Sequence, residues 1–299
     1  MDGQDGETAL IRAAKAGDAE GVEGLLAGGD ANPGGVDVNG VDGKCGGTPL
    51  RWAALKGHAA VVRVLLGAAE IDVNAVDKFG VTPLGFAAVN GHVEVVKLLL
   101  GVPGIEVNRA DDGRTPLYEA SLKGHVEVVV ALLAADGIDV NRADEHGKRA
   151  PLHWAAHHGR REIVRALLTV PGIRINQIDK EVKTPLWIAS KEGHAEVVKA
   201  LVAAGADVHR RSKDGVSPFE AACSSKKRKR GNRRPADDAA ACARALRTSI
   251  GPTLLTLMRG GLTSSMAVDL VLRSLDDGGS ALTRVILLRA GAAPPPRTP

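Results

Sequence analysis

Residues 82–100 read TPLGFAAVNGHVEVVKLLL, and this stretch divides into two short helices with a stop between them. Thr82 is a good helix N-cap, because its hydroxyl can accept a bond from a free backbone N–H of the first turn. Pro83 follows at the first helical position, where its missing N–H costs nothing and its φ is already helical. Leu84, Ala87 and Ala88 share one face at helical spacing, and the two alanines let a neighbouring helix approach closely. Gly91 stands where the helix should end on a residue with positive φ. A second helix starts near His92 and turns Val95, Val96, Leu98, Leu99 and Leu100 towards a core. Helices shorter than ~12–15 residues are marginal in water, so the pair needs neighbours to cover its apolar faces.

Those neighbours recur along the chain. The starts Thr48-Pro49-Leu50, Thr82-Pro83-Leu84, Thr115-Pro116-Leu117, Ala150-Pro151-Leu152, Thr184-Pro185-Leu186 and Ser217-Pro218-Phe219 lie 34, 33, 35, 34 and 33 residues apart. Gly57, Gly91, Gly124, Gly159 and Gly193 keep step with them. Between units sit IDVN (71–74), IEVN (105–108), IDVN (138–141), IRIN (173–176) and ADVH (206–209), extended pieces that suit a projecting hairpin turn. A period near 33 with T-P-L-x-x-A and this hairpin resembles the ankyrin repeat. The resemblance covers residues 5–219 well and runs more loosely to 293. It implies an all-α ankyrin-repeat solenoid of about seven or eight helix-turn-helix repeats with short projecting β-hairpin loops.

The order of the chain follows from that reading. Residues 1–47 are an N-terminal capping repeat and a glycine-rich connection; terminal repeats are atypical because one side faces water. Residues 48–219 are regular repeats. Residues 220–251 hold a basic insertion within a repeat, 252–293 form degenerate capping repeats, and 294–299 are a proline-rich tail. In this scheme PTLLTLMRGG (252–261) is the displaced second helix of the interrupted repeat. A solenoid grows by adding units, so 299 residues need no second core. Hydrophobic residues make up 44% of the chain and aromatic ones only 2%, so the core is aliphatic. No apolar run reaches the ~18 residues of a membrane span. The start MDGQDGETAL lacks the basic and apolar regions of a secretory signal. Cys45, Cys223 and Cys242 are sparse and far apart, which fits a reducing compartment better than a disulfide framework. The protein is therefore expected in the cytoplasm, the nucleus or both.

The resemblance also implies where a partner would bind: the concave side, built from hairpin tips and the exposed face of each first helix. Carried onto this sequence, those positions are Lys78, Phe79, Val89 and Asn90 in the unit quoted above. The next repeats supply Arg114, Leu122 and Lys123, then Lys148, Arg149, His157 and His158, then Lys180, Lys183 and Lys191. Several are cationic, which favours an acidic or mixed segment of another protein, and Phe79, Val89 and Leu122 could be apolar anchors. A monomer is expected.

Four further features bear on function. Lys226, Lys227, Arg228, Lys229, Arg230, Arg233 and Arg234 carry seven positive charges, whereas the whole chain is +4; everything outside this loop is net negative. Such a cluster resembles a nuclear-localisation signal or a nucleic-acid-contacting patch, and the alternative reading is a nuclear regulatory protein in which it drives import or contacts nucleic acid. It is a poor nucleic-acid platform, since no aromatic residue interleaves it for base stacking. His58, His92, His125 and His194 follow the helix-ending glycine once per repeat, which spaces them apart and points to a structural bond with the neighbouring loop, not to a metal site. His157 and His158 are adjacent on a helix and should point in different directions. Asn74, Asn108, Asn141 and Asn176 suit turns, where Asn satisfies backbone groups; in the ankyrin family such asparagines can be hydroxylated by an iron-dependent oxygenase. Catalytic motifs are missing: there is no phosphate-cradling glycine loop, no G-x-S-x-G and no H-E-x-x-H. Glycines read as punctuation between helices. The chain is thus expected to be a non-catalytic interaction scaffold without cofactor or metal. An enzyme would require a catalytic domain elsewhere in a longer chain.

Overall fold

The computed structural model describes residues 7–28, 36–224, 241, 242 and 245. These residues contain thirteen α-helices and no strands. The helices are α1 (Ala9–Ala16), α2 (Ala19–Ala27), α3 (Pro49–Lys56), α4 (Ala59–Leu66), α5 (Pro83–Asn90), α6 (Val93–Leu100), α7 (Pro116–Lys123), α8 (Val126–Leu133), α9 (Pro151–His157), α10 (Arg161–Leu168), α11 (Pro185–Glu192), α12 (Ala195–Ala203) and α13 (Pro218–Cys223). Odd-numbered helices stack on one another in one layer and even-numbered helices in a second, each helix touching mainly its own partner and the like helix of the next unit. This is a solenoid of helix-turn-helix repeats.

The capping chemistry is the one the sequence predicts. Thr8, Thr48, Thr82, Thr115, Thr184 and Ser217 each accept a bond from the N–H three residues on, with proline at the start of α3, α5, α7, α11 and α13. Ala150 has no side chain to do this. Its own N–H instead donates to Nδ1 of His153, 3.1 Å away.

The core runs the length of the stack. In α3, α5, α7, α9 and α11 the Leu of the repeat start and the small pair behind it are buried: Leu84, Ala87 and Ala88 in one repeat, Leu152, Ala155 and Ala156 in another. Second helices contribute Val95, Val96 and Leu99, whereas Leu98 and Leu100 are only half-buried at its edge, because a 3.6-residue period cannot turn three successive leucines inward. Glycine is not only punctuation: Gly85 lies inside α5. Cys242 and Ala245 are helical and join the main core. The basic run 226–234, the second helix read at 252–261 and the last repeat pair lie outside the described residues.

The hairpins differ from the sequence reading. The IDVN-type segments are tight turns that bury their valine (Val73, Val107, Val140). The projecting loop comes after them, as in Asp77–Val81, where the Asp77 N–H donates to the Val81 carbonyl at 3.2 Å. Its left-handed position, two residues before the cap, is glycine at Gly46, Gly80, Gly113 and Gly215, but Lys148 and Val182 elsewhere. Among the described residues, only the hairpin Asp111–Arg114 forms a β-bridge; Asp112 and Gly113 both have positive φ, the signature of a type I′ turn.

Candidate interaction face

Two sets of bonds stitch repeat to repeat, and both explain residues that the sequence repeats. The histidine after each stop glycine reaches back: Nε2 of His58, His92, His125 and His194 lies 3.2, 3.0, 3.1 and 2.9 Å from the carbonyls of Lys15, Leu55, Val89 and His157. A carbonyl cannot donate, so Nε2 carries the proton. Arg160 replaces the histidine once and reaches the Lys123 carbonyl at 3.2 Å. Each ring lies over the glycine of the preceding repeat so closely that a Cβ on Gly91 would sit 2.6 Å from His125 Nδ1. The histidines are structural, as their recurrence predicts.

The asparagines reach forward with both ends of the amide. Asn74 donates to the Gly104 carbonyl and accepts from the Glu106 N–H, each at 2.9 Å. Asn39, Asn108 and Asn141 do the same in their repeats.

A third element was not visible in the repeat pattern. Asp42, Asp77, Asp144 and Asp179 are buried at the hairpin bases. Asp77 accepts from the N–H groups of Phe79 and Val81 and pairs with Arg51 at 3.2 Å; Asp179 accepts from Glu181 and Lys183 and pairs with Arg149 at 3.3 Å. Burial alone would raise the Asp42 pKa, but the Cys45 N–H, the Trp52 indole and the Cys45 thiol outweigh it and hold this carboxyl well below the usual range. The aspartate stands five residues before the cap in some repeats and six in others, and repeat four has Ala110 there. That drift conceals the signal.

These aspartates hold the hairpins against the first helices, and the resulting face carries most of the chain's aromatic rings. Cations lie over them. Arg51 sits 4.2 Å from the ring centres of both Trp52 and Phe86, Lys15 is 4.0 Å from Trp52, Arg149 is 5.1 Å from Trp154 and Lys183 is 4.6 Å from Trp187. Arg114 is 5.8 Å from Tyr118. These distances are within the range of cation–π attraction. Tyr118 is buried, and desolvation followed by the Asp144 charge pushes its hydroxyl up to about 12.

The residues singled out from sequence fall into two groups on this face. Some are committed within the fold. Lys78 donates to the carbonyls of Gly43 and Lys44, joining two hairpins; Asn90 donates to the Phe86 carbonyl of its own helix; Lys191 bonds Ser224. Arg114 pairs with Glu119, Arg149 with Asp179 and Lys183 with Glu181. Others remain available: Phe79 is 64% exposed, Val89 and Leu122 are half-buried, and Lys123, Lys148 and Lys180 are exposed. His157 and His158 do not diverge. Their rings meet edge to face with centres 4.8 Å apart, and both lie against Trp154. The reason is that α9 ends at His157, so His158 is a cap residue and its ring folds back. Burial, then the neighbouring charges of His157, Arg160 and His194, lower the His158 pKa. Among the described residues no group of three or more His, Cys, Asp or Glu side chains converges as a metal site, and no helix is long and apolar enough to cross a membrane.

A stack of paired helices with hairpins and first helices on one exposed face defines a repeat scaffold of the protein-binding kind. A sequence model of ankyrin repeats in three copies matches residues 1–77, 65–144 and 143–212, and the chain belongs to the ankyrin repeat family. No curated protein matches it. Among solved structures, it is similar to the ankyrin repeat domain of Bcl-3, described as a unique member of the IkappaB protein family. That likeness has a TM-score of 0.67 and 25% identity over 82% of this chain and 100% of that one. The human ASB11 ankyrin repeat domain aligns with a TM-score of 0.62 and 28% identity, over 81% of this chain and 98% of that one. Ankyrin repeat domains are generally modules for binding other proteins and are typically non-enzymatic.

Proposed function

We propose that this protein is a non-catalytic scaffold that binds another protein along the concave side formed by its hairpins and first helices. The observation that supports this reading is the composition of that face. A chain with 2% aromatic residues gathers the half-buried rings of Trp52, Phe86 and Trp154 there, each beside a cation, together with the exposed ring of Phe79. Aromatic rings and cations are the usual anchors of protein interfaces. Lys123, Lys148 and Lys180 are exposed on the same face and have no ion pair among the described residues, so the partner segment is acidic or mixed. The protein acts intracellularly as a monomer. Affinity capture with the wild-type chain identifies specific partners; the Lys123→Glu/Lys148→Glu/Lys180→Glu variant then weakens each at least tenfold at unchanged helicity. Full retention by that variant would refute the assignment of the face.

The basic run 226–234 supports a second reading, as a nuclear-import signal in an otherwise net-negative chain. A fluorescent fusion should move from nucleus to cytoplasm when Lys226, Lys227, Arg228, Lys229 and Arg230 are changed to alanine. An unchanged distribution would eliminate this role.

A further inference from the structure

One position on the interaction face differs in kind between repeats. Three residues after the cap, Arg51, Tyr118, His153 and Trp187 each bury a large side chain, none more than 8% exposed. In α5 the same position is Gly85, which fills nothing. A glycine within a helix lowers its stability, and here it also opens a cavity of about 320 Å³. Phe79, Val81, Phe86 and Val89 form its apolar wall, with Arg114 and Lys123 at its rim. Phe79, at 64%, is the most exposed large apolar side chain among the described residues. The cavity has the size of a small ligand pocket, whose range begins at about 300 Å³.

The charges around it have a direction. Arg114 is taken up by Glu119 and Arg109 by Glu106. Asp111 stands at the hairpin end, and Lys123, at the last turn of α7, is the lining cation without an ion pair among the described residues. A uniformly acidic ligand would be opposed at Asp111 and attracted at Lys123.

We infer that the Gly85 cavity receives one large apolar side chain from an extended segment of a partner protein, with a carboxylate nearby on that segment seated against Lys123. The inference rests on the proposed interaction face and names its specificity pocket. Gly85 leaves out the side chain that the other repeats provide, and the partner supplies it.

The test uses the full chain with labelled valine methyls and the probe peptide acetyl-Trp-Gly-Glu-amide. The methyl signals of Val81 and Val89 should shift and saturate at millimolar peptide. The analogue with Ala in place of Trp should bind at least tenfold more weakly. Exchanging the peptide's Glu for Gln should weaken binding severalfold in the wild type and not in Lys123→Gln. Gly85→Tyr, which copies the residue at this place in the next repeat, should abolish the shifts. A Cβ at 85 would lie 3.1 Å from Val81 Cγ1, so Val81 must give way slightly. If that variant does not fold, Val89→Lys in the apolar wall must abolish the shifts of Val81 instead. The inference is overturned by shifts that avoid Val81 and Val89, by equal binding of the Ala analogue, or by binding that survives in the folded variant. Partner binding lost in the triple lysine variant but kept in Gly85→Tyr overturns the pocket alone and leaves the face standing.

Discussion

Gly91 and Gly104 offer a way to separate two reasons for a glycine. Both have left-handed backbones, with φ of 78° and 80°. Around Gly104 a Cβ would meet nothing within 4 Å, whereas at Gly91 it would lie 2.6 Å from His125 Nδ1. Gly104→Ala therefore carries only the left-handed penalty, roughly 1–2 kcal/mol for an L-residue. Gly91→Ala carries the same penalty and must also displace the imidazole. That breaks the His125 Nε2–H bond to the Val89 carbonyl at 3.1 Å, worth about 0.5–1.5 kcal/mol. Gly91→Ala should thus cost about 1 kcal/mol more than Gly104→Ala. The excess should vanish in a His125→Ala background, where the ring is already gone. Urea unfolding followed by circular dichroism measures the wild type, both glycine variants, His125→Ala and both glycine variants in that background, provided the denaturant slope is constant so that two-state energies apply. Equal costs for the two alanines, or an excess that persists without His125, would refute the idea that the ring enforces the glycine.

Other perturbations test separate parts of the structure. Val182 is a β-branched residue at φ 59°, a place where such residues are true outliers; Val182→Gly should raise stability by about 1 kcal/mol, read as a higher melting temperature. Ser121 is fully buried and its hydroxyl has no hydrogen-bond partner among the described residues, so Ser121→Ala, the residue found at this place in α3, α5 and α9, should stabilise by about 1 kcal/mol; a loss in urea melts would show that the hydroxyl is satisfied. Burial lowers the His153 pKa from 6.5 to about 4, with the Asp179 charge opposing it. The unfolded chain then takes up the proton first, so stability present above pH 6.5 is lost as pH falls towards 4, by on the order of 3 kcal/mol over the full window. In His153→Asn, whose amide oxygen can still accept from the Ala150 N–H, this part of the slope should disappear; an identical pH profile would show that His153 is not its source.

Much of the fold was legible because the repeat forces the same local chemistry at the same place. Thr82-Pro83 and Gly91 need only their own helix to act, so sequence spacing reveals them. The histidine after the glycine could be read as structural from recurrence alone, although the close approach of ring to glycine needed coordinates. The parts that were not legible depend on contacts across hairpins of unequal length. Asp77 and Asp144 do the same work five and six residues before their caps, which hides them from a fixed period. Lys78 looks like a free charge in the sequence, yet it is held by two carbonyls of the preceding hairpin. His158 looks like a helix residue and is a cap. Gly85 was masked by abundance: in a chain with 36 glycines, one that empties a pocket reads like one that ends a helix.

The stitches also set the distance over which this chain must find itself. The asparagine bonds join residues 29–33 apart, and the histidine bonds join residues 36–43 apart. Each is closed as soon as one more repeat has been made, and none waits for the far end of the chain. Loop closure over a few tens of residues costs little entropy, and local contacts favour rapid folding. A nascent chain of this design can lock each repeat onto the previous one during synthesis, with only the newest apolar face left uncovered at any moment.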